Sequence, residues 1–160
     1  MIEKDLRTYL RNAARAGELL CVDRDVDPAT EAPALIRKSI EREKIVLFRN
    51  VAGRSTRLVA NTLGSRRWLE QVLGCSPGEI VSHLRDRQSR TFAPKVVSSA
   101  PVKEVIMQPV DLHALPILTV HEGDAGPYIT GGIGIQVDPE TGRQNAGYYS
   151  LQLKGPDRLG

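Results

Sequence analysis

The residues with the clearest chemical potential lie in the last third of the sequence. Asn145 opens the stretch Asn145-Ala146-Gly147-Tyr148-Tyr149-Ser150-Leu151-Gln152. An asparagine there offers a neutral oxygen to a hard cation such as Mg2+ or Mn2+, which often bridges to a phosphate. Backbone amides of the next residues could contact that phosphate; the plainer alternative is a turn asparagine in a left-handed conformation. Upstream stand Pro127-Tyr128-Ile129-Thr130-Gly131-Gly132 and Asp138-Pro139-Glu140-Thr141-Gly142. These runs read as one β-hairpin: a glycine-rich strand from Ile129 to Val137, a turn with Pro second and Gly closing, and a return strand through Asn145. Glycines at 131, 132, 134 and 147 remove side chains from strands that would be more stable with them. Two explanations fit: close approach by a ligand or another backbone, or relief of crowding in a twisted sheet.

Other candidates carry weaker signals. His83, His113 and His121 show no metal-ligand spacing such as i, i+4 on a helix, so a zinc site built from them is excluded as a leading reading. His83 falls on a predicted helix as a packing or surface residue, and His113 in Asp111-Leu112-His113 reads as a turn cap. His121-Glu122-Gly123-Asp124 gathers an imidazole and two carboxylates before the glycine-rich strand, against the alternative of a solvated loop. Gly131-Gly132-Ile133-Gly134 resembles a dinucleotide loop only superficially. That fingerprint needs a helix after the glycines to hold the pyrophosphate, and here the chain continues as a strand.

Composition narrows the class of protein. The 160 residues can bury a core, and 41% hydrophobic with 26% charged residues is ordinary for a soluble globular chain. A net charge of +3 from 22 basic and 19 acidic residues, with two Phe and one Trp for stacking, gives nucleic-acid binding little support. Cys21 and Cys75 are too few and too far apart for a metal knuckle and are expected as reduced, partly buried thiols. No apolar run reaches the length of a membrane span and no signal peptide precedes the first helix, so a cytoplasmic location is expected.

The elements that must position the hairpin follow from periodicity. Helices are predicted over Leu6 to Ala16, stopped by Gly17, and over Glu31 to Glu43. Two more are predicted over Arg66 to Leu73, capped by Ser65 and ended by Gly74, and from Ser76-Pro77 to about Gln88. Short strands are predicted at Leu19 to Val22, Ile45 to Phe48 and Leu58 to Asn61. Asp25 to Thr30 reads as a polar connection. Thr91 to Leu118, with prolines at 94, 101, 109 and 116, reads as an extended connector holding strand fragments at Val96-Val97 and Val105-Ile106-Met107. The fold class is α/β (α+β), with a domain boundary placed between residues 105 and 106.

Leu115-Pro116-Ile117, Gly123 to Gly132, Asp138 to Gly142 and Asn145-Ala146-Gly147 together resemble the UbiD family of decarboxylases. The upstream Leu47-Phe48-Arg49-Asn50-Val51 and Gly64-Ser65-Arg66-Arg67 segments are similar to its N-terminal domain. The resemblance runs from Leu6 to Gly160. It implies a small N-terminal α/β layer domain followed by the opening strands of a split β-barrel flavin-binding domain. It also implies decarboxylation of aromatic or α,β-unsaturated carboxylic acids through prenylated FMN, with Mn2+ (K+ being the further candidate ion). By the same resemblance Asn145 is the metal ligand, and Tyr148, Tyr149 and Ser150 contact the prenylated flavin.

Two departures follow. The family usually has Arg where this chain has Ser150, and a hydroxyl cannot offer a charged bidentate partner, so substrate-carboxylate handling or proton transfer must differ. The remaining metal ligands, a His and a Glu, and the catalytic carboxylates are expected beyond Gly160, so no catalytic residue is assigned here and the isolated chain is expected to be inactive. The full-length enzyme is expected to be a homo-oligomer that binds a small carboxylic acid, with no nucleic-acid partner and no membrane span. The competing expectation is a non-catalytic subunit or interaction module that completes its barrel with a separate chain, using an unpaired strand edge near residues 145–154.

Overall fold

The computed structural model describes residues 5–90 and 92–160; residues 1–4 and Thr91, the first residue of the predicted connector, lie outside it. Helix α1 (Leu6–Arg15) begins because the Asp5 side chain accepts from the Thr8 amide at 2.9 Å. Strand β1 spans Leu19–Val26. Sequence patterning stopped it at Val22 because Asp23, Arg24 and Asp25 interrupt the apolar run. Those side chains are exposed and β1 continues, ending with Val26 only 1% exposed. Along this stretch the Asn50 side chain donates through Nδ2 to the Asp23 carbonyl, and Arg49 pairs with the Asp23 carboxylate at 3.2 Å.

The Asp27 side chain then accepts from the Ala29 and Thr30 amides at 2.9 and 2.7 Å, turning the chain into α2 (Glu31–Glu41). Helix α2 stops two residues short of the predicted Glu43, which takes a left-handed φ of 50°. Strands β2 (Ile45–Val51) and β3 (Leu58–Ala60) complete a three-stranded sheet in the order β1-β2-β3.

Helix α3 (Arg66–Leu73) is capped by Ser65, whose Oγ accepts from the Trp68 amide at 3.1 Å, and ends at Gly74 with φ 68°. An added Cβ at Gly74 would meet nothing within 4 Å. Gly74→Ala therefore tests backbone strain alone and should destabilise the chain by about 1 kcal/mol in urea titration, without changing the slope. The helix predicted after Ser76 divides into a 3-10 turn (Pro77–Glu79) and α4 (Ile80–Gln88). Glu79 accepts from the Ser76 amide at 2.9 Å and closes a capping box.

The predicted strand fragments at Val96-Val97 and Val105 to Met107 are not strands. Their side chains are exposed, and the segment forms only a 3-10 turn at Pro101–Lys103. Prolines at 94, 101 and 109 remove ladder donors along this stretch, and Gln108–Pro109 is a cis bond. A second 3-10 turn follows at Leu112–Ala114. The chain ends in a second antiparallel sheet, β4 (Tyr128–Val137), β5 (Gln144–Gly155) and β6 (Arg158–Leu159), in the order β4-β5-β6.

Contacts sort the described chain into two compact units that interleave in sequence. One comprises the residues up to 21, 38–47 and 59–109. Its core joins Ala13, Ile45 and Trp68, with Tyr9, Leu10, Leu19, Val59 and Val72 packed around them. Tyr9 meets Trp68 edge to face, with ring centroids 5.7 Å apart, and its hydroxyl donates to the Thr62 carbonyl. The same unit buries Glu18, whose carboxylate accepts from Lys44 Nζ at 2.9 Å and Ser65 Oγ at 2.8 Å, with Arg67 3.6 Å away. The other unit comprises residues 22–37, 48–58 and 110–160, and buries Val26, Ala32, Phe48, Val51 and Leu118.

Candidate functional site

The hairpin turn is set by Asp138. Its carboxylate accepts from the Glu140 and Thr141 amides at 2.8 and 3.2 Å, and its amide donates to the Arg143 carbonyl at 2.9 Å. Gly142 closes the loop with φ 67°. The Thr141 side chain, then the Glu140 and Thr141 amides, hold the Asp138 carboxyl below the usual aspartate range. A lowered carboxyl supports the turn fully above that range, and the support is lost as pH falls through the lowered value.

From this turn the register runs Val137 opposite Gln144, Gln136 opposite Asn145, Gly134 opposite Gly147 and Gly132 opposite Tyr149. Between Gly132 and Ile129 the register shifts, so Thr130 and Gly131 together oppose Ser150. This is a β-bulge, a device that bends a strand and re-aims its side chains. Neither the bulge nor its position beside Ser150 was recognised from sequence; the adjacent Gly131-Gly132 pair was the available signal.

Strand alternation then divides the candidate residues. Asn145, Gly147, Tyr149 and Leu151 share one face of β5, whereas Tyr148, Ser150 and Gln152 lie on the other. The fold thus brings Asn145 and Tyr149 to a common face, four residues or about 13 Å apart along the strand. It sets Tyr148 and Ser150 on the opposite face, so one planar ligand lying flat on the sheet meets one pair or the other. Asn145, Tyr148 and Ser150 are exposed.

The glycines have a specific cause. A Cβ built on Gly134 would lie 2.8 Å from Tyr149 Cδ2, and one on Gly147 would lie 3.0 Å from Cε2 and 3.2 Å from the hydroxyl. The Tyr149 ring therefore lies across the directly opposed Gly134–Gly147 pair. At these two positions the space is filled by an aromatic side chain, which replaces the expectation of an approaching ligand or backbone. A tyrosine diagonal to one glycine and two residues beyond the other was the sequence signal for it.

The remaining candidates are not gathered into a site. The His113 amide donates to the Asp111 carboxylate at 2.9 Å, and the His121 amide donates to Asp124 Oδ2 at 2.9 Å, so both segments close as local turns. Among the described residues no group of three or more His, Cys, Asp or Glu is placed to hold a metal ion. Asn145 thus offers a single oxygen to a hard cation and cannot complete a coordination shell with these residues. Among the described residues neither Cys21 nor Cys75 forms a disulfide, and Cys21 is exposed where partial burial was expected, being an outward residue of β1. Among the described residues no helix is long and apolar enough to cross a membrane.

Solved structures related to this chain are UbiD-class enzymes. An evolved dimeric form of HmfF from Pelotomaculum thermopropionicum, in complex with prFMN, superposes with a TM-score of 0.90 at 34% identity, covering 99% of this chain and 38% of that one. The vanillic acid decarboxylase of Sedimentibacter hydroxybenzoicus in open form also reaches 0.90, at 28% identity, over 100% of this chain and 38% of that one. In sequence, the anhydromevalonate phosphate decarboxylase of Methanosarcina mazei is 37% identical over 153 residues, which are 96% of this chain and 34% of that protein. Residues 10–88 match the 3-octaprenyl-4-hydroxybenzoate carboxy-lyase N-terminal domain, and residues 95–160 match the Rift-related domain of the same enzymes. The chain belongs to the UbiD family and corresponds to its N-terminal portion. It spans about a third of the length of the relatives it matches.

Proposed function

We propose that this chain forms the N-terminal portion of a UbiD-like carboxy-lyase that decarboxylates an aromatic or α,β-unsaturated carboxylic acid with prenylated FMN and Mn2+. The observation that carries the reading is the placement of Asn145 and Tyr149 on one face of a bulged hairpin inside the segment matched to the Rift-related domain. In this reading Asn145 supplies one oxygen to Mn2+ against the cofactor phosphate, with K+ the further ion, and Tyr149 lies beside it. Tyr148 and Ser150 stand on the other face of β5, so in this reading they would meet the flavin only where the cofactor passes the open edge of that strand. Prenylated FMN, when bound, supplies the sink for the electrons left as CO2 departs. Ser150 gives one neutral hydrogen bond where an Arg would give a charged pair, so it orients a substrate carboxylate less firmly. The HmfF complexes with prFMN and with FMN support the cofactor assignment. A domain boundary near residue 105, a cytoplasmic location and a homo-oligomeric full-length enzyme belong to the same reading.

The test uses two polypeptides reconstituted with prenylated FMN and Mn2+. Residues 1–160 alone should retain no flavin absorbance after desalting and show no decarboxylation, because one metal ligand cannot fix the ion. Joined to the remaining two-thirds of the Methanosarcina mazei relative, the chain should retain flavin, and Asn145→Ala should cut Mn2+-dependent retention at least tenfold, about 1.4 kcal/mol. Flavin retention with turnover by residues 1–160 alone would overturn the assignment of an inactive portion.

A second reading has its own observation. β6 covers β5 only at Leu153 and Gly155, and among the described residues no strand pairs with Asn145 to Leu151 on the side away from β4. Ile133, Ile135, Val137 and Tyr148 line one face of the hairpin, each more than half exposed. An open edge beside an apolar face suits a module that completes its barrel with a separate chain. Co-purification of a stable heteromer from the native source would favour it, and recovery of the chain without a strand-donating partner would count against it.

A further inference from the structure

We propose that Tyr149 is the positioning residue for Asn145, acting through a ring seat built from the opposed glycines 134 and 147. The proposal rests on the decarboxylase reading only for what Asn145 binds; the seat stands on the hairpin geometry. Glycine is the residue that weakens a strand, and here two glycines face each other directly across β4 and β5. Without side chains that pair contributes no cross-strand contact, and the hairpin would be weakest between its turn and its bulge. The Tyr149 ring covers the gap. An added Cβ on Gly134 would approach its Cδ2 and Cε2 to 2.8 and 3.0 Å, and one on Gly147 would lie 3.2 Å from its hydroxyl. The ring therefore leans along β5 from residue 149 toward residue 145, with Asn145 the next residue on that face.

An aromatic ring lying over cross-strand glycine is a known means of pinning register in an open sheet. Its placement here matters because the bulge at Thr130 and Gly131 lies immediately on one side and Asn145 immediately on the other. A bulged strand can slip by one residue, and a slip moves every side chain to the opposite face. Such a slip in this hairpin would carry Asn145 and Tyr149 together to the face now held by Tyr148 and Ser150. The ring lies closest where both opposed residues lack a Cβ, and a one-residue slip, which sets Ile133 or Ile135 in the place of Gly134, would displace it.

The test is hydrogen exchange and proton chemical shift on isotopically labelled residues 1–160, as wild type, Tyr149→Phe and Tyr149→Ala. In the wild type and in Tyr149→Phe, the Gly134 and Gly147 Hα protons should be shifted upfield by the ring, since the seat needs the ring and not the hydroxyl. In Tyr149→Ala those shifts should vanish, and amide exchange from Gly134 to Val137 and from Gln144 to Gly147 should accelerate about tenfold or more. The amides of β2 should stay unchanged and so report that the variant is folded. Unshifted glycine protons in the wild type, or unchanged hairpin exchange in a folded Tyr149→Ala, would overturn the proposal. Rescue by Tyr149→Phe is the result that a hydrogen-bonding role for Tyr149 would not give. Loss of flavin retention in the chimaeric enzyme with this exchange pattern intact would sink the decarboxylase reading and leave the ring seat standing.

Discussion

Trp68→Ala should lower the unfolding free energy by about 3–5 kcal/mol, the range for removing a large aromatic from a packed core. Trp68 is 6% exposed and stands at the centre of a cluster with Ala13 and Ile45, so its removal opens a cavity bounded by a helix and a strand. Tyr9 loses its edge-to-face partner in the same step, an interaction that adds about 0.5–1.5 kcal/mol beyond area burial. Because the chain has one tryptophan, the variant must be followed by far-ultraviolet circular dichroism in urea rather than by intrinsic tryptophan fluorescence. An unchanged midpoint would show that this cluster does not hold the unit together.

Glu18→Ala should cost about 2–4 kcal/mol, because it strands hydrogen bonds made in a nearly dry site. Glu18 is 2% exposed, and its carboxylate joins Lys44, from the connection into β2, to Ser65, the cap of α3. Lys44 also donates to the Gly17 carbonyl at 2.9 Å, so the lysine ties the connection into β2 to the turn before β1. Arg67 adds little, since its side chain is 72% exposed and water screens the pair.

Burial pushes the Glu18 carboxyl up, but hydrogen bonds from Lys44 and Ser65, with attraction to Lys44 and Arg67, outweigh it and hold the group below the usual glutamate range. The sign of the pH effect follows from that direction. A lowered carboxyl binds fewer protons folded than unfolded, so its contribution is complete above the ordinary glutamate range and is lost as pH falls through the lowered value. The stability gap between wild type and Glu18→Ala should therefore be constant near neutrality and narrow on acidification. A gap independent of pH would mean that Glu18 acts by packing alone.

Local chemistry explains which parts of the fold were readable from sequence. Ser65 and Gly74 bound α3 as expected, because a cap and a left-handed stop are decided by the residues themselves. β4 starts one residue before the predicted strand, since the glycine-rich run and the Asp138 to Gly142 turn carry their own geometry. β1 outran its prediction because charged residues on an exposed side do not end a strand whose other residues still pair. Val96-Val97 and Val105 to Met107 failed as strands for the opposite reason: their composition favours extension, but a strand exists only where a partner offers a ladder.

By itself, therefore, the sequence determined the type and order of most elements, the hairpin and its turn, and the likeness to the UbiD family that the relatives bear out. Those properties reside in short-range patterns of caps, turns and periodicity. Only the tertiary structure decided which residues meet across strands. It set a bulge against Ser150, paired Gly134 with Gly147, and laid the Tyr149 ring over both. It also buried Glu18 beneath Lys44 and Ser65, residues 26 and 47 positions away. Register and burial depend on pairing between residues distant in the chain, and nothing in the neighbourhood of either partner encodes the meeting.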